Sequence, residues 1–170
     1  PQRPIIVVAA GNSAENASGF TPASCSGVIT VGATETRGFR SYYSNYGPRI
    51  DVMAPGGDIS IDRNTDGFVD GVLSPLKDDS ATGADQFNYV FYQGTSMASP
   101  HVAGLVALMK ARRPDLTYSE ALDILKSTAV PLSGASCTGR PSDQIAPSFP
   151  TLTSGDCGAG LVNSKLAPPA

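Results

Sequence analysis

Ser96 has the clearest potential for chemistry in this chain, because it lies among small residues where a strand-like run gives way to a helix. The run is residues 88–92, and Gly94, Ala98 and Ser99 leave open space around the serine hydroxyl. Pro100 falls in the first helical turn, where its missing N–H removes no helical hydrogen bond. The free N–H groups and the positive dipole end of such a turn suit a developing oxyanion.

Asn12 is a second candidate, because it follows a continuous apolar run at residues 4–10. Such a run is typical of a parallel strand covered on both faces, and open α/β sheets bind ligands at the carboxyl ends of their strands. The Asn12 amide could therefore donate a hydrogen bond to a reacting oxygen. Considered alone, Asn12 could equally be a turn asparagine and Ser96 a helix N-cap.

The longer motifs resemble the subtilisin-like serine proteases, the subtilase family. The serine segment at residues 94–104 matches almost letter for letter, and matches in the family's order occur at residues 5–12, 21–24, 28–33, 44–47 and 51–56, with a weaker one at 158–163. The resemblance implies a three-layer α/β fold with a largely parallel sheet and flanking helices, incomplete in this chain. Residues 1–166 would be the C-terminal portion of a peptidase domain, with an acidic insertion at 57–93 and the start of a linker at 167–170.

The resemblance also implies a serine endopeptidase that forms an acyl-enzyme on Ser96. The N–H of Ser96 and the side-chain amide of Asn12 would share the oxyanion. Loss of such an amide lowers kcat by about 100- to 1,000-fold, a range that comes from subtilisin itself. The resemblance further implies that Ala9 and Gly11 wall the pocket beside the scissile bond, and that the partners are protein or peptide substrates.

No residue of the chain can be assigned as general base or orienting carboxylate. His101 is the only histidine, and five residues after Ser96 on one helix it points about 140° away. We therefore expect His101 to be a packing residue. The family's catalytic aspartate and histidine precede the oxyanion asparagine, so we expect a missing N-terminal segment to supply both and the chain alone to be inactive. An α/β-hydrolase is excluded, because its acid and histidine follow the serine.

Calcium is the cofactor that the sequence predicts, in a structural role and at two places. The first is an EF-hand-like loop with oxygen ligands at alternating positions, Asp62, Asn64, Asp66, the main chain of Phe68, and Asp70, with Gly67 at its sixth position. Leu73 stands where the bidentate glutamate belongs, and a solvated acidic turn is the alternative. The second place comes from the resemblance: Asp51 with the carbonyls of Ala23, Cys25 and Val28, unless Asp51 is a surface carboxylate.

The composition limits the classes of partner and cellular location. The net charge of −3 gives no electrostatic argument for nucleic acid or an anionic membrane, and no apolar stretch approaches the roughly 20 residues that span a bilayer. The family is mostly secreted, so we expect an extracellular protein. Cys137 and Cys157 flank a Pro/Ser/Thr-rich loop, which we expect them to bridge. Cys25 would then be a free thiol or the partner of a cysteine outside this chain.

Two helices and a loop-like C-terminal part are predicted after the serine. Residues 96–112 form a helix with an inward face of Val102, Leu105, Val106, Leu108 and Met109. Thr117 and Glu120 form a capping box for the next helix, and the chain turns loop-like from Pro131 on. A non-catalytic, calcium-stabilised binding or scaffold domain that retains the serine motif is the alternative function.

Overall fold

The computed structural model describes residues 3–78, 80, 86–139 and 151–163, so the predicted linker at 167–170 lies outside the described residues. The strands are β1 (Ile6–Ala9), β2 (Val28–Thr34), β3 (Val52–Pro55), β4 (Val72–Lys77) and β5 (Phe87–Tyr92). The helices are α1 (Thr95–Arg112), α2 (Tyr118–Thr128) and α3 (Gly134–Thr138), with 3₁₀ turns at Ala17–Gly19 and Ser154–Cys157.

Strands β1, β2 and β3 form a parallel sheet in that order, as the apolar runs of the first 56 residues predict. Ile6 pairs with Val28, and Val31 pairs with Val52. Side chains alternate between the two faces of a strand. On one face, Val31 and Val52 pack against helices α1 and α2. On the other face, Met53 packs with loop residues and with the Cys137–Cys157 disulfide. The mixed, largely parallel α/β architecture is therefore confirmed.

Three side chains expected in the interior are exposed, and these predictions were wrong. Ile6 is 48% exposed because no described element covers the face of β1 to which its side chain points. Leu108 is 68% exposed. The buried stripe of α1 runs through Ala98, Val102 and Val106, and a residue two positions beyond the last of these lies about 200° around the helix. The third such residue is His101, which is exposed on α1.

The segment at 57–93 contains an antiparallel hairpin in which Val72 pairs with Tyr92 and Lys77 with Phe87. The predicted run at 88–92 lies within β5, whereas the sequence pattern did not indicate β4. The hairpin packs mainly against itself and leaves Phe87 and Tyr89 more than 70% exposed. Whether this segment is an insertion stays a prediction.

The C-terminal part is held to the sheet by a buried arginine and a disulfide. Cys137 and Cys157 are bonded as expected, although α3 and a 3₁₀ turn occupy a region expected to be loop-like. Arg40 is fully buried and donates to the carbonyls of Cys137, Ser44 and Thr138 at 2.7, 2.6 and 3.0 Å. Burial lowers the pKa of the Arg40 guanidinium to about 10.

Candidate active site

Asn12 lies in the loop after β1, and the buried side chain of Asn45 orders that loop. The Asn45 amide donates to the Ala10 carbonyl at 2.9 Å, and its oxygen accepts from the N–H groups of Ser13 and Glu15. Gly11 has φ +105°, and a Cβ there would lie 2.4 Å from the Asn45 amide nitrogen. Glycine is therefore required at position 11 by backbone conformation and by close packing.

Thr95 fixes the side chain of Asn12. The N–H and the hydroxyl of Thr95 both donate to the Asn12 Oδ1, each at 2.9 Å. The Thr95 hydroxyl also accepts from the Gly11 N–H at 3.1 Å, so three hydrogen bonds join the β1 loop to the first residue of α1. Because Oδ1 is held on the Thr95 side, the Nδ2 group of Asn12 remains available on the opposite side of the amide.

The space above Gly94 brings the Asn12 amide and the start of α1 together. A carbon added at the Cβ position of Gly94 would lie 3.5 Å from Asn12 Nδ2 and 3.6 Å from the backbone nitrogen of Ser96. Neither of these N–H groups has an acceptor in the part of the chain that the structure describes. Ser96 and Asn12 are both exposed, whereas Thr95 is fully buried. The two donors therefore lie close to one point beside Gly94, next to the exposed serine.

The start of α1 is anchored to the end of β3 through buried hydrogen bonds. The Gly94 N–H donates to the Gly56 carbonyl at 2.9 Å, and the Tyr43 hydroxyl lies 2.8 Å from the carbonyl oxygens of both Gly56 and Gly57. Burial raises the pKa of the Tyr43 phenol to about 12. The hydroxyl is therefore a neutral donor under all ordinary conditions, and it supports the turn that presents Ser96.

His101 is exposed rather than packed, so the expected packing role was wrong. Its Nδ1 lies 2.7 Å from the Met97 carbonyl oxygen one turn earlier on α1. The buried stripe of α1 instead passes through the next residue, Val102. Ala9 is half-buried in β1, and no contact with a substrate tests the predicted pocket role of Ala9 or Gly11.

The predicted calcium loop folds into a tight turn in its first half. Asp62 Oδ2 accepts from the Gly67 N–H at 2.9 Å, and the side chains of Asn64 and Asp66 lie 2.8 Å apart. Asp62 Oδ1 is buried and has no hydrogen-bond partner among the described residues, as a cation ligand would be before binding. The backbone N–H of Phe68 donates to Asp66 Oδ1 at 2.9 Å.

The second half of the loop is arranged differently. Asp70 is buried, and its Oδ2 accepts from the Arg63 N–H and the Thr36 hydroxyl at 3.0 and 3.2 Å. Among the described residues, no three His, Cys, Asp or Glu side chains are grouped to hold a metal ion. The first half of the loop therefore fits a cation better than Asp70 does.

At the second predicted cation site, every expected oxygen ligand accepts a hydrogen bond from a protein donor. Asp51 pairs with Lys126, and its other oxygen accepts from the Thr30 N–H. The carbonyls of Ala23, Cys25 and Val28 accept from Thr30, Arg49 and Tyr118 in turn. The charge of Asp51 is already balanced by the Lys126 ammonium at 2.7 Å, so this arrangement does not fit a bound cation.

Three residues that position the candidate site were not predicted from the sequence: Thr95, Tyr43 and Asn45. Thr95 and Asn45 lie within motifs that carried the resemblance, but only the fold brings them to Asn12, 83 residues from Thr95. Tyr43 precedes one of these motifs and gave no signal of its own. Cys25 is exposed with a free thiol in this chain, so both alternatives for it remain.

Comparison with known proteins identifies related sequences. A model of the subtilase family matches residues 2–160. An extracellular protease of Xanthomonas campestris pv. campestris is 42% identical over 163 residues, which is 95% of this chain and 23% of that protein. An extracellular basic protease of Dichelobacter nodosus is 39% identical over 134 residues, 76% of this chain and 20% of that protein.

Solved structures show the same similarity in three dimensions. A protease from Pseudoalteromonas arctica superposes with a TM-score of 0.73 at 40% identity, covering 96% of this chain and 41% of that one. A cold-adapted subtilisin-like serine proteinase gives a TM-score of 0.55 at 32% identity, covering 71% of this chain and 37% of that one. The chain thus spans less than half of these structures and about a fifth of the two curated relatives above. Within the described residues, no helix has the length and apolar character to cross a bilayer.

Proposed function

Because this chain belongs to the subtilase family, we propose that it carries the nucleophile and the oxyanion donors of a serine endopeptidase acting on protein or peptide substrates. The single observation that supports this most is the shared space above Gly94, which Asn12 Nδ2 and the Ser96 N–H both border. Two neutral donors at a helix N-terminus are suited to the charge that develops on a carbonyl oxygen during acyl transfer.

The Ser96 hydroxyl would attack the scissile carbonyl carbon while a histidine from outside this sequence takes its proton. The carbonyl oxygen would then carry negative charge and accept hydrogen bonds from Ser96 N–H and Asn12 Nδ2. Collapse of this intermediate breaks the peptide C–N bond, and the same histidine returns the proton to the leaving amine. Water then hydrolyses the ester on Ser96. An aspartate, also outside this sequence, would orient the histidine.

A fluorophosphonate probe tests this proposal in the complete protein. Labelling is expected at Ser96 and should disappear in Ser96→Ala, while Ser99→Ala serves as the matched control on the same helix. Asn12→Ala should retain folding but react more slowly. Absence of labelling in correctly folded protein would refute the peptidase and favour the scaffold function. Relatives named extracellular proteases support our further proposal that the protein is secreted.

We also propose that Asp62, Asn64, Asp66 and the main chain of Phe68 hold a structural calcium ion. The support is the buried Oδ1 of Asp62, which has no partner in the part of the chain that the structure describes and lies within a turn of oxygen side chains. A bound ion would stabilise this loop and supply no chemistry to catalysis. A chelator should lower the thermal midpoint of the complete protein, and Asp62→Asn should remove that response. A midpoint that the chelator leaves unchanged would refute the site.

A further inference from the structure

The corner where α2 approaches the starts of β2 and β3 concentrates oxygen acceptors around Asp51. The Asp51 carboxylate is largely buried, with 14% of its side chain exposed. Its Oδ2 accepts from the Thr30 N–H at 2.9 Å, which binds it to the neighbouring strand β2. Its Oδ1 lies 2.7 Å from Lys126 Nζ, so both carboxylate oxygens are already engaged.

A second cationic side chain, that of Arg49, reaches the same corner from the loop just before β3. The Arg49 Nη2 donates to the Cys25 carbonyl. The two other carbonyls have neutral donors: the Tyr118 hydroxyl lies 3.1 Å from the Val28 oxygen, and the Thr30 hydroxyl lies 2.9 Å from the Ala23 oxygen. Each oxygen that a metal ion would need is therefore paired with a donor from the protein itself.

Tyr118 lies among the same charged groups. Burial raises the pKa of the Tyr118 phenol, and the nearby Asp51 carboxylate raises it further, whereas Lys126 and Arg49 act in the opposite direction. These groups therefore comprise one carboxylate and two cationic side chains. A calcium ion requires about six to eight oxygen ligands and is favoured by excess negative charge, and this cluster offers neither.

We propose that the Lys126 ammonium and the Arg49 guanidinium together replace a bound metal ion at this corner. They join α2 and the β3 entry to the loop before β2 through charge-assisted hydrogen bonds. The corner is then stable in a chelator, and its stability depends on ionic strength because Lys126 is partly exposed. Removal of the two positive charges would free Asp51 Oδ1 and the Cys25 carbonyl oxygen as ligands for a cation, while the hydrogen bonds from Thr30 and Tyr118 remain.

The test uses the complete protein carrying Asp62→Asn, so that the proposed calcium loop does not respond. In this parent, calcium should leave the thermal midpoint unchanged. Adding Lys126→Met and Arg49→Met, which keep the aliphatic length, should lower the midpoint in chelator by about 2–4 °C for each charge removed. Millimolar calcium should restore part of that loss, and calorimetric titration should detect binding only in this variant.

Lys126→Arg is the matched control, because it keeps the charge and should remain insensitive to calcium. The proposal is overturned if the parent gains stability from calcium and Asp51→Asn abolishes the gain, because the native corner would then bind the ion. It is also overturned if the two methionine substitutions leave the midpoint unchanged in chelator. Should the double substitution fail to fold, Lys126→Met alone must show the calcium response.

Discussion

Replacing Thr95 by valine removes the hydroxyl that anchors Asn12 while keeping the shape of a buried side chain. The hydroxyl makes two of the three hydrogen bonds between the β1 loop and α1, one to Asn12 Oδ1 and one from the Gly11 N–H. The third bond, from the Thr95 N–H to Asn12 Oδ1, belongs to the backbone and survives the substitution. Asn12 should therefore stay in place but be held by one bond instead of two.

The magnitudes differ for stability and for turnover. Two lost hydrogen bonds at about 0.5–1.5 kcal/mol each, together with the unpaired Gly11 N–H, should lower the free energy of unfolding by about 2–4 kcal/mol. Turnover loses the positioning effect of one bond, about 1 kcal/mol, which corresponds to roughly a 5- to 10-fold fall in kcat. This loss is smaller than that expected for removing the Asn12 amide, about 100- to 1,000-fold, the subtilisin range.

The assay is steady-state hydrolysis of a chromogenic peptide by the complete protein, with kcat and KM measured separately. The negative charge on the oxygen is absent from the bound substrate and develops toward the transition state, so kcat should fall while KM changes little. Thr95→Ser keeps the hydroxyl and should recover most of the turnover. A folded valine variant with unchanged kcat, or a serine variant as slow as the valine one, would show that the anchoring argument is incorrect.

Three further outcomes are expected from the structure. Tyr43→Phe removes the phenolic donor from the Gly56 and Gly57 carbonyls, which keep the Gly94 N–H and the Ser41 hydroxyl as donors, and should lower the free energy of unfolding in urea by about 0.5–1.5 kcal/mol; an unchanged midpoint would show that this bond contributes little. The Thr117 hydroxyl and N–H bonds lower the pKa of Glu120. The resulting stabilisation is complete above the ordinary glutamate pKa and is lost as the pH falls through the lower folded value. Thr117→Val should reduce the slope of thermal midpoint against pH in that acidic range, and an identical slope would contradict this. Replacing Cys137 and Cys157 by alanine opens a loop closed across 20 residues and should cost about 3 kcal/mol, with reductant producing the same shift in the parent protein; a variant that melts with the parent would count against the loop-closure argument.

The elements that local patterns encode were predictable. Thr117 and Glu120 form the capping box that their spacing predicts, since capping depends on residues three apart. The serine helix begins one residue before its predicted start, at Thr95. Strand β4 escaped prediction because Ser74, Pro75 and Lys77 break the apolar alternation, and pairing with β5 decides its conformation.

Burial was harder to predict than secondary structure. Leu108 is apolar, but the direction of its side chain depends on which stripe of α1 meets the sheet. The apolar run that contains Ile6 resembles a strand covered on both faces, yet the exposure of Ile6 depends on what packs on its face of the sheet. A single sequence records how apolar a residue is, and packing determines whether that side chain meets another surface.

The sequence by itself determined the nucleophile candidate, the parallel strands, the helix cap and the family, because these depend on neighbours in the chain. Only the tertiary structure decided that Thr95 orients Asn12 across 83 residues, and that Lys126 pairs with Asp51 where a metal ion was expected. Hydrogen bonds act over about 3 Å. Residues remote in sequence acquire such partners only when the sheet and helices bring their side chains together.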